Sequence, residues 1–79
     1  MVRSRAALTT TAVTAVAELL GVDVTAVCTD APFADLGLSS TQLARLTARL
    51  EDAMGFEVSL TAMYDYPDID QLVEYLAMR

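Results

Sequence analysis

The sequence predicts an all-α fold, a four-helix bundle of three longer helices and one short one, with a long loop between the first two helices. Three observations predict it. Apolar residues make up 54 % of the 79 residues, more than disordered chains carry and enough for a packed core. Three stretches repeat apolar residues at three- and four-residue spacing, whereas strand-like alternation reaches only one triplet. Gly21, Gly55 and Pro67 stand where helical patterns stop. A chain this short forms one small domain, residues 1–79, with no room for a second core. Its single cysteine permits no internal disulfide, so helix packing has to supply the stability.

The first helix is expected to begin between Leu8 and Thr11, where threonines offer caps, and to end at Leu20 before Gly21. Ala12, Val13, Val16, Ala17 and Leu20 form its apolar stripe. From Gly21 to Leu38 no helical period is sustained; Val22, Val24, Val27 and Phe33 are the apolar residues available to anchor this loop, and Cys28 reads as a small buried hydrophobe. The second helix runs from Ser40 to Met54. Leu43, Leu46, Leu50 and Met54 share one face, while Thr41, Arg45, Ala48 and Asp52 point the other way. Ser39 and Gln42 have the spacing of a capping box, which occupies the Ser39 hydroxyl and leaves that of Ser40 free. Phe56, Val58 and Leu60 form an extended link into a short helical turn, Thr61 to Tyr66, ended by Pro67. Asp68 and Gln71 then open the last helix with a second capping box, and Ile69, Leu72, Val73 and Leu76 form its stripe.

Eleven acids face five basic residues, for a net charge of −6. Arg3 and Arg5 are expected on an N-terminal tail, and residues 6–78 hold all eleven acids against Arg45 and Arg49, a net of −9. Such a surface repels nucleic-acid phosphates and anionic membranes and attracts basic protein patches. No apolar run has the length of a membrane span. Arg3 and Arg5 before Ala6 to Leu20 resemble a signal peptide only faintly, because three threonines and Glu18 interrupt the apolar character. A cytoplasmic monomer is the expectation.

Autonomous catalysis is excluded by what is missing. A serine nucleophile needs a base, and the chain has neither histidine nor lysine. Asp35, a carboxylate, is a poor substitute for that base. The Gly37-x-Ser39 spacing lacks the second glycine of a nucleophile elbow, and the three glycines form no phosphate loop. A serine at a helix N-terminus can instead be another enzyme's substrate, since the dipole and free N–H groups there favour an attached phosphate.

Phe33-x-Asp35-Leu36-Gly37-Leu38-Ser39-Ser40 resembles the phosphopantetheine attachment motif of acyl carrier proteins. Tyr64-Asp65-Tyr66-Pro67-Asp68-Ile69, followed by Leu72 and Tyr75-Leu76, resembles that family's closing segment. The resemblance spans nearly the whole chain. It implies a carrier-protein bundle with 4′-phosphopantetheine joined to Ser40, taken from coenzyme A by a phosphopantetheinyl transferase. Acyl intermediates would ride on the arm as thioesters between acyltransferase, ketosynthase or other synthase enzymes. Gly37-Leu38 with the Tyr-Asp-Tyr-Pro segment looks most like the polyketide synthase type; peptidyl carriers usually show a second glycine where Leu38 stands, and fatty-acid carriers are richer in acids where this chain has Arg45 and Arg49. Two residues depart from the pattern: Ser39 stands for the usual aspartate and Thr41 for the usual leucine. The start at Met1 and the end just past the last helix suit a free-standing carrier, and a module excised from a larger synthase would look similar.

Partners that reach Ser40 would approach the exposed side of the second helix, so Thr41, Ala44, Arg45 and Ala48, with Leu38 as an apolar anchor, form the expected partner surface. Two alternatives stay open on the residues: a peptidyl or aryl carrier, and a cofactor-free docking domain with Leu38, Met63, Tyr64 and Tyr66 as its patch.

Overall fold

In the computed structural model, residues 4–55 and 57–78 are described, so Arg3 and Phe56 lie outside the described residues. Among these, helices α1 (Arg5–Leu20), α2 (Ser40–Met54), α3 (Thr61–Asp65) and α4 (Ile69–Ala77) pack around one core, with α1 against both α2 and α4. No strand forms among the described residues; Pro32 and Asp68 make an isolated bridge.

α1 begins a turn earlier than the threonines suggest, because Ser4 is its cap and accepts a hydrogen bond from the Ala7 N–H at 3.2 Å. The threonine hydroxyls do not cap. Those of Thr9, Thr10 and Thr11 donate back to the carbonyls of Arg5, Ala6 and Ala7, which satisfies them inside the helix. Serving two neighbours, α1 buries a wider face than one stripe: Leu8, Ala12, Ala15, Val16 and Ala17 are buried, while Val13 and Leu20 are half-buried at its margins. At its end Gly21 takes φ 70°, and the N–H groups of Gly21 and Val22 return to the carbonyls of Glu18 and Ala17.

The long loop is ordered in two stages. Asp23 caps a 3₁₀ turn, Val24–Ala26, by accepting the Thr25 N–H at 3.0 Å and the Thr25 hydroxyl at 2.9 Å. These two bonds, the backbone one first, hold the Asp23 carboxyl below its ordinary value. The turn carries Val22 and Val24 outward, and Cys28 is exposed as well. None of the three is the buried anchor expected from its residue type; the loop leaves the core here and returns only with Val27, half-buried, and Phe33. It is then fastened to the start of α4: the Asp70 N–H donates to the Thr29 carbonyl at 3.0 Å and the Phe33 N–H to the Pro67 carbonyl at 2.7 Å.

α2 has the expected bounds and buries Leu43, Leu46, Leu50 and Met54, together with Thr47, whose hydroxyl donates to the Ala44 carbonyl. After it, Val58 is buried, with its N–H held by the Glu51 carboxylate at 3.0 Å, and Leu60 is exposed. The short helix stops at Asp65, one residue before the expected end. Asp68 caps α4, but its box is not reciprocal. Gln71 donates its N–H to Asp68 Oδ1 at 2.8 Å and its Nε2 to Oδ2 at 2.9 Å, so both donors serve one carboxylate that is only 9 % exposed. Burial explains this, since a carboxylate removed from water needs a donor on each oxygen.

Leu46, fully buried at the centre of α2, tests the core. Leu46→Ala should lower unfolding free energy by about 2–5 kcal/mol, read as a shifted midpoint with an unchanged slope in urea titration.

Candidate functional site

The turn before α2 sets the site. Gly37 takes φ 86°, its N–H donates to the Ala34 carbonyl at 3.2 Å, and the Leu38 N–H reaches back to the Phe33 carbonyl at 3.3 Å. This is the bonding pattern that closes helices on a left-handed residue, used here on a single turn. Phe33 and Leu38, at its two ends, are 3 % and 8 % exposed. Leu38 is therefore a core residue and not the exposed apolar anchor expected from the sequence. The left-handed turn at Gly37 folds it inward, against the same cluster that receives Phe33 and Leu43.

Immediately after it the chain emerges. Ser39 is extended and exposed, and its hydroxyl accepts the Gln42 N–H at 3.2 Å while Gln42 Oε1 accepts the Ser39 N–H at 2.8 Å. The capping box is complete. Ser40 is the first residue of α2, exposed, and its hydroxyl makes no hydrogen bond among the described residues. The two adjacent serines thus differ chemically: one is consumed by the helix end and the other is presented to solvent. The N–H groups of Ser40 and Thr41 precede the first intrahelical bond, Leu43 N–H to the Ser39 carbonyl at 2.9 Å, and no acidic residue stands in this first turn. Free amide donors at the positive end of a 15-residue helix, beside an unengaged hydroxyl, fit a phosphodiester on Ser40 Oγ.

The exposed side of α2 carries Thr41, Ala44, Arg45 and Ala48, all solvent-facing. Its two arginines differ. Arg49 Nη1 binds both carboxylate oxygens of Glu18 at 3.1 Å, tying α2 to α1, whereas Arg45 has no ion-pair partner among the described residues. The patch expected of a docking domain does not form, because Leu38 and Met63 are buried and Tyr66 stacks on Tyr75 with ring centroids 4.4 Å apart; only Tyr64, 61 % exposed, projects. The sequence also conceals a contact of Gln42, whose Nε2 donates to the Leu19 carbonyl at 3.1 Å. The capping box identifies Gln42 locally, but nothing local marks a partner 23 residues away.

The family described as phosphopantetheine attachment site matches residues 11–76. A phenolphthiocerol/phthiocerol polyketide synthase from Mycobacterium tuberculosis is 39 % identical over 51 residues, which is 65 % of this chain and 3 % of that protein. The chain thus spans about 3 % of the length of this curated relative. Among solved structures, a free-standing peptidyl carrier protein from Acinetobacter baumannii superposes with a TM-score of 0.91 at 30 % identity, covering 98 % of this chain and 96 % of that one. BlmI, a type-II acyl carrier protein of bleomycin biosynthesis from Streptomyces verticillus, does so with a TM-score of 0.85 at 26 % identity, covering 94 % and 87 %.

Two substitutions separate the roles of the turn and the cap. Gly37→Ala should destabilise by about 1–2 kcal/mol through the left-handed backbone alone, since nothing lies within 4 Å of the added methyl. Ser39→Ala should cost about 0.5–2 kcal/mol through the lost cap. Thermal unfolding of each measures both.

Proposed function

The chain belongs to the phosphopantetheine attachment-site family, and from that premise we propose that it is an acyl carrier protein of the polyketide synthase type and that Ser40 is the residue that carries its 4′-phosphopantetheine. One observation carries this assignment: of the two serines at the start of α2, only Ser40 has an exposed hydroxyl free of the capping box.

Ser40 Oγ supplies the nucleophile for attachment. Its bond to phosphorus forms as the pyrophosphate bond of coenzyme A breaks, and adenosine bisphosphate leaves. The hydroxyl proton passes to a base of the phosphopantetheinyl transferase, since this chain has no histidine or lysine to take it. The free N–H groups of Ser40 and Thr41 would be the donors available to the phosphate. Once attached, the arm's thiol holds acyl groups as thioesters. The carrier contributes position and effective concentration, while acyltransferase, ketosynthase and related enzymes do the chemistry. We read residues 1–79 as one carrier unit that works as a monomer in the cytoplasm, where coenzyme A and such enzymes meet. No helix among the described residues is long and apolar enough to cross a membrane.

Partners approach along Thr41, Ala44, Arg45 and Ala48, exposed residues of α2 within three turns of Ser40, where Arg49 is also exposed but is held by Glu18. Alanines let a partner backbone come close, and Arg45 offers a cation without an ion-pair partner among the described residues, on a body whose net charge is otherwise strongly negative. Leu38, being buried, is not part of this surface.

Incubation with coenzyme A, magnesium and a promiscuous transferase should add one phosphopantetheine to the intact mass. Ser40→Ala should abolish the gain, whereas Ser39→Ala should retain it; no gain in the parent chain refutes the assignment. Arg45→Glu should slow acyl transfer from the cognate synthase by about tenfold, the effect of 1.4 kcal/mol, with the unfolding midpoint unchanged. Unchanged transfer removes Arg45 from the interface.

A further inference from the structure

We propose that Gln42 is a positioning residue for the attachment reaction, its carboxamide registering the Ser39–Ser40 end of α2 against the C-terminus of α1. The proposal rests on Ser40 being the attachment residue.

Every polar atom of the Gln42 side chain has a task. Oε1 accepts the Ser39 N–H at 2.8 Å, and Nε2 donates to the Leu19 carbonyl at 3.1 Å. The orientation of the amide follows from its partners: rotated by half a turn, it would set donor against donor at Ser39 and acceptor against acceptor at Leu19. Both partners are groups that a helix end leaves unsatisfied. At the end of α1 the carbonyls of Ala17 and Glu18 are taken by Gly21 and Val22, and that of Leu19 is taken by Gln42. One half-buried side chain therefore closes a donor at the start of α2 and an acceptor at the end of α1.

Besides the buried Leu38 and Leu43, the other restraints on this end of α2 are local bonds. The cap is an uncharged serine whose hydroxyl accepts at 3.2 Å, the weaker half of the box. The preceding turn is closed by bonds of 2.9 to 3.3 Å from the N–H groups of Asp35, Leu36, Gly37 and Leu38, all within the segment from Pro32 to Leu38. The remaining tie between α1 and α2 outside the core is Arg49 to Glu18, on exposed side chains nearly two turns further along α2. Among the described residues, Gln42 is the one polar tie between the two helices within the first turn, and Ser40 moves with that turn. A transferase has to receive the Ser40 hydroxyl in one geometry. If the turn wanders, the competent fraction falls and the apparent affinity falls with it, while the chemical step in the bound complex is untouched.

Gln42→Glu separates the two tasks. Its carboxylate can still accept the Ser39 N–H and suits the positive helix end, but it places an acceptor against the Leu19 carbonyl. Gln42→Met removes both bonds at similar volume. At a temperature well below unfolding, with coenzyme A, magnesium and transferase, Gln42→Glu should raise the KM for the carrier roughly fivefold, the worth of one hydrogen bond, with kcat unchanged. Backbone amide exchange at Leu43, which closes the first turn, should quicken by a similar factor in the unmodified protein. Adding Ser39→Asp to Gln42→Met, which restores a strong cap without the tie to Leu19, should leave KM raised. A merely stabilising role would instead lower the unfolding midpoint, leave KM unmoved and be repaired by Ser39→Asp; that pattern, or unchanged Leu43 exchange in Gln42→Glu, overturns the proposal. Absence of loading in the parent chain, or loading that survives Ser40→Ala, refutes the assignment of Ser40 instead, and the exchange measurement still decides whether Gln42 holds the turn.

Discussion

Much of this small structure depends on one constraint: the chain must bury Phe33 and Leu38 and yet expose Ser39 and Ser40 directly afterwards. A left-handed residue at Gly37 meets it, turning the backbone sharply enough for the Leu38 N–H to reach the Phe33 carbonyl. The buried leucine anchors the turn, and the turn aims the start of α2 outward. Without that anchor the serines would sit on a slack loop; without the turn, Leu38 would stay in water or drag the serines inward. The apolar core thus does more than stabilise. It determines where a hydroxyl is presented.

α2 then has two faces with two duties. Leu43, Leu46, Leu50 and Met54 face the core, and the opposite side is left with small or singly charged residues. For a domain of 79 residues few helices are available, so each has to give one side to the core and leave the other to solvent. The long loop contributes by being tied rather than by being regular. Thr29 and Phe33 share backbone hydrogen bonds with the α3–α4 junction, so a segment with little secondary structure still transmits a fixed position to Gly37.

How much is legible in the sequence follows from how local each determinant is. The bounds of α2 are encoded within a few residues: Ser39 and Gln42 at one end, Gly55 at the other, and a clean apolar period between them. The difference between Ser39 and Ser40 follows from the same box. The start of α1 is hard to read because Ser4 lies outside the apolar pattern and the threonines imitate caps. Val22, Val24 and Cys28 mislead for a different reason: in a loop, burial depends on what passes overhead, and residue type says little about that. Leu38 belongs with them, since its direction is decided by the turn at Gly37 and by the apolar cluster that receives it.

By itself the sequence determined the helical class, the registers of α2 and α4, the acidic surface and which of the two adjacent serines is left out of the capping box. All of these arise from interactions within about four residues or from composition. Only the tertiary structure decided that Leu38 is core, that Asp68 binds both donors of Gln71 in a nearly buried site, and that the Gln42 amide reaches Leu19. Each of these depends on surfaces brought together from distant parts of the chain, where packing chooses among conformations that local preference leaves nearly equal in energy.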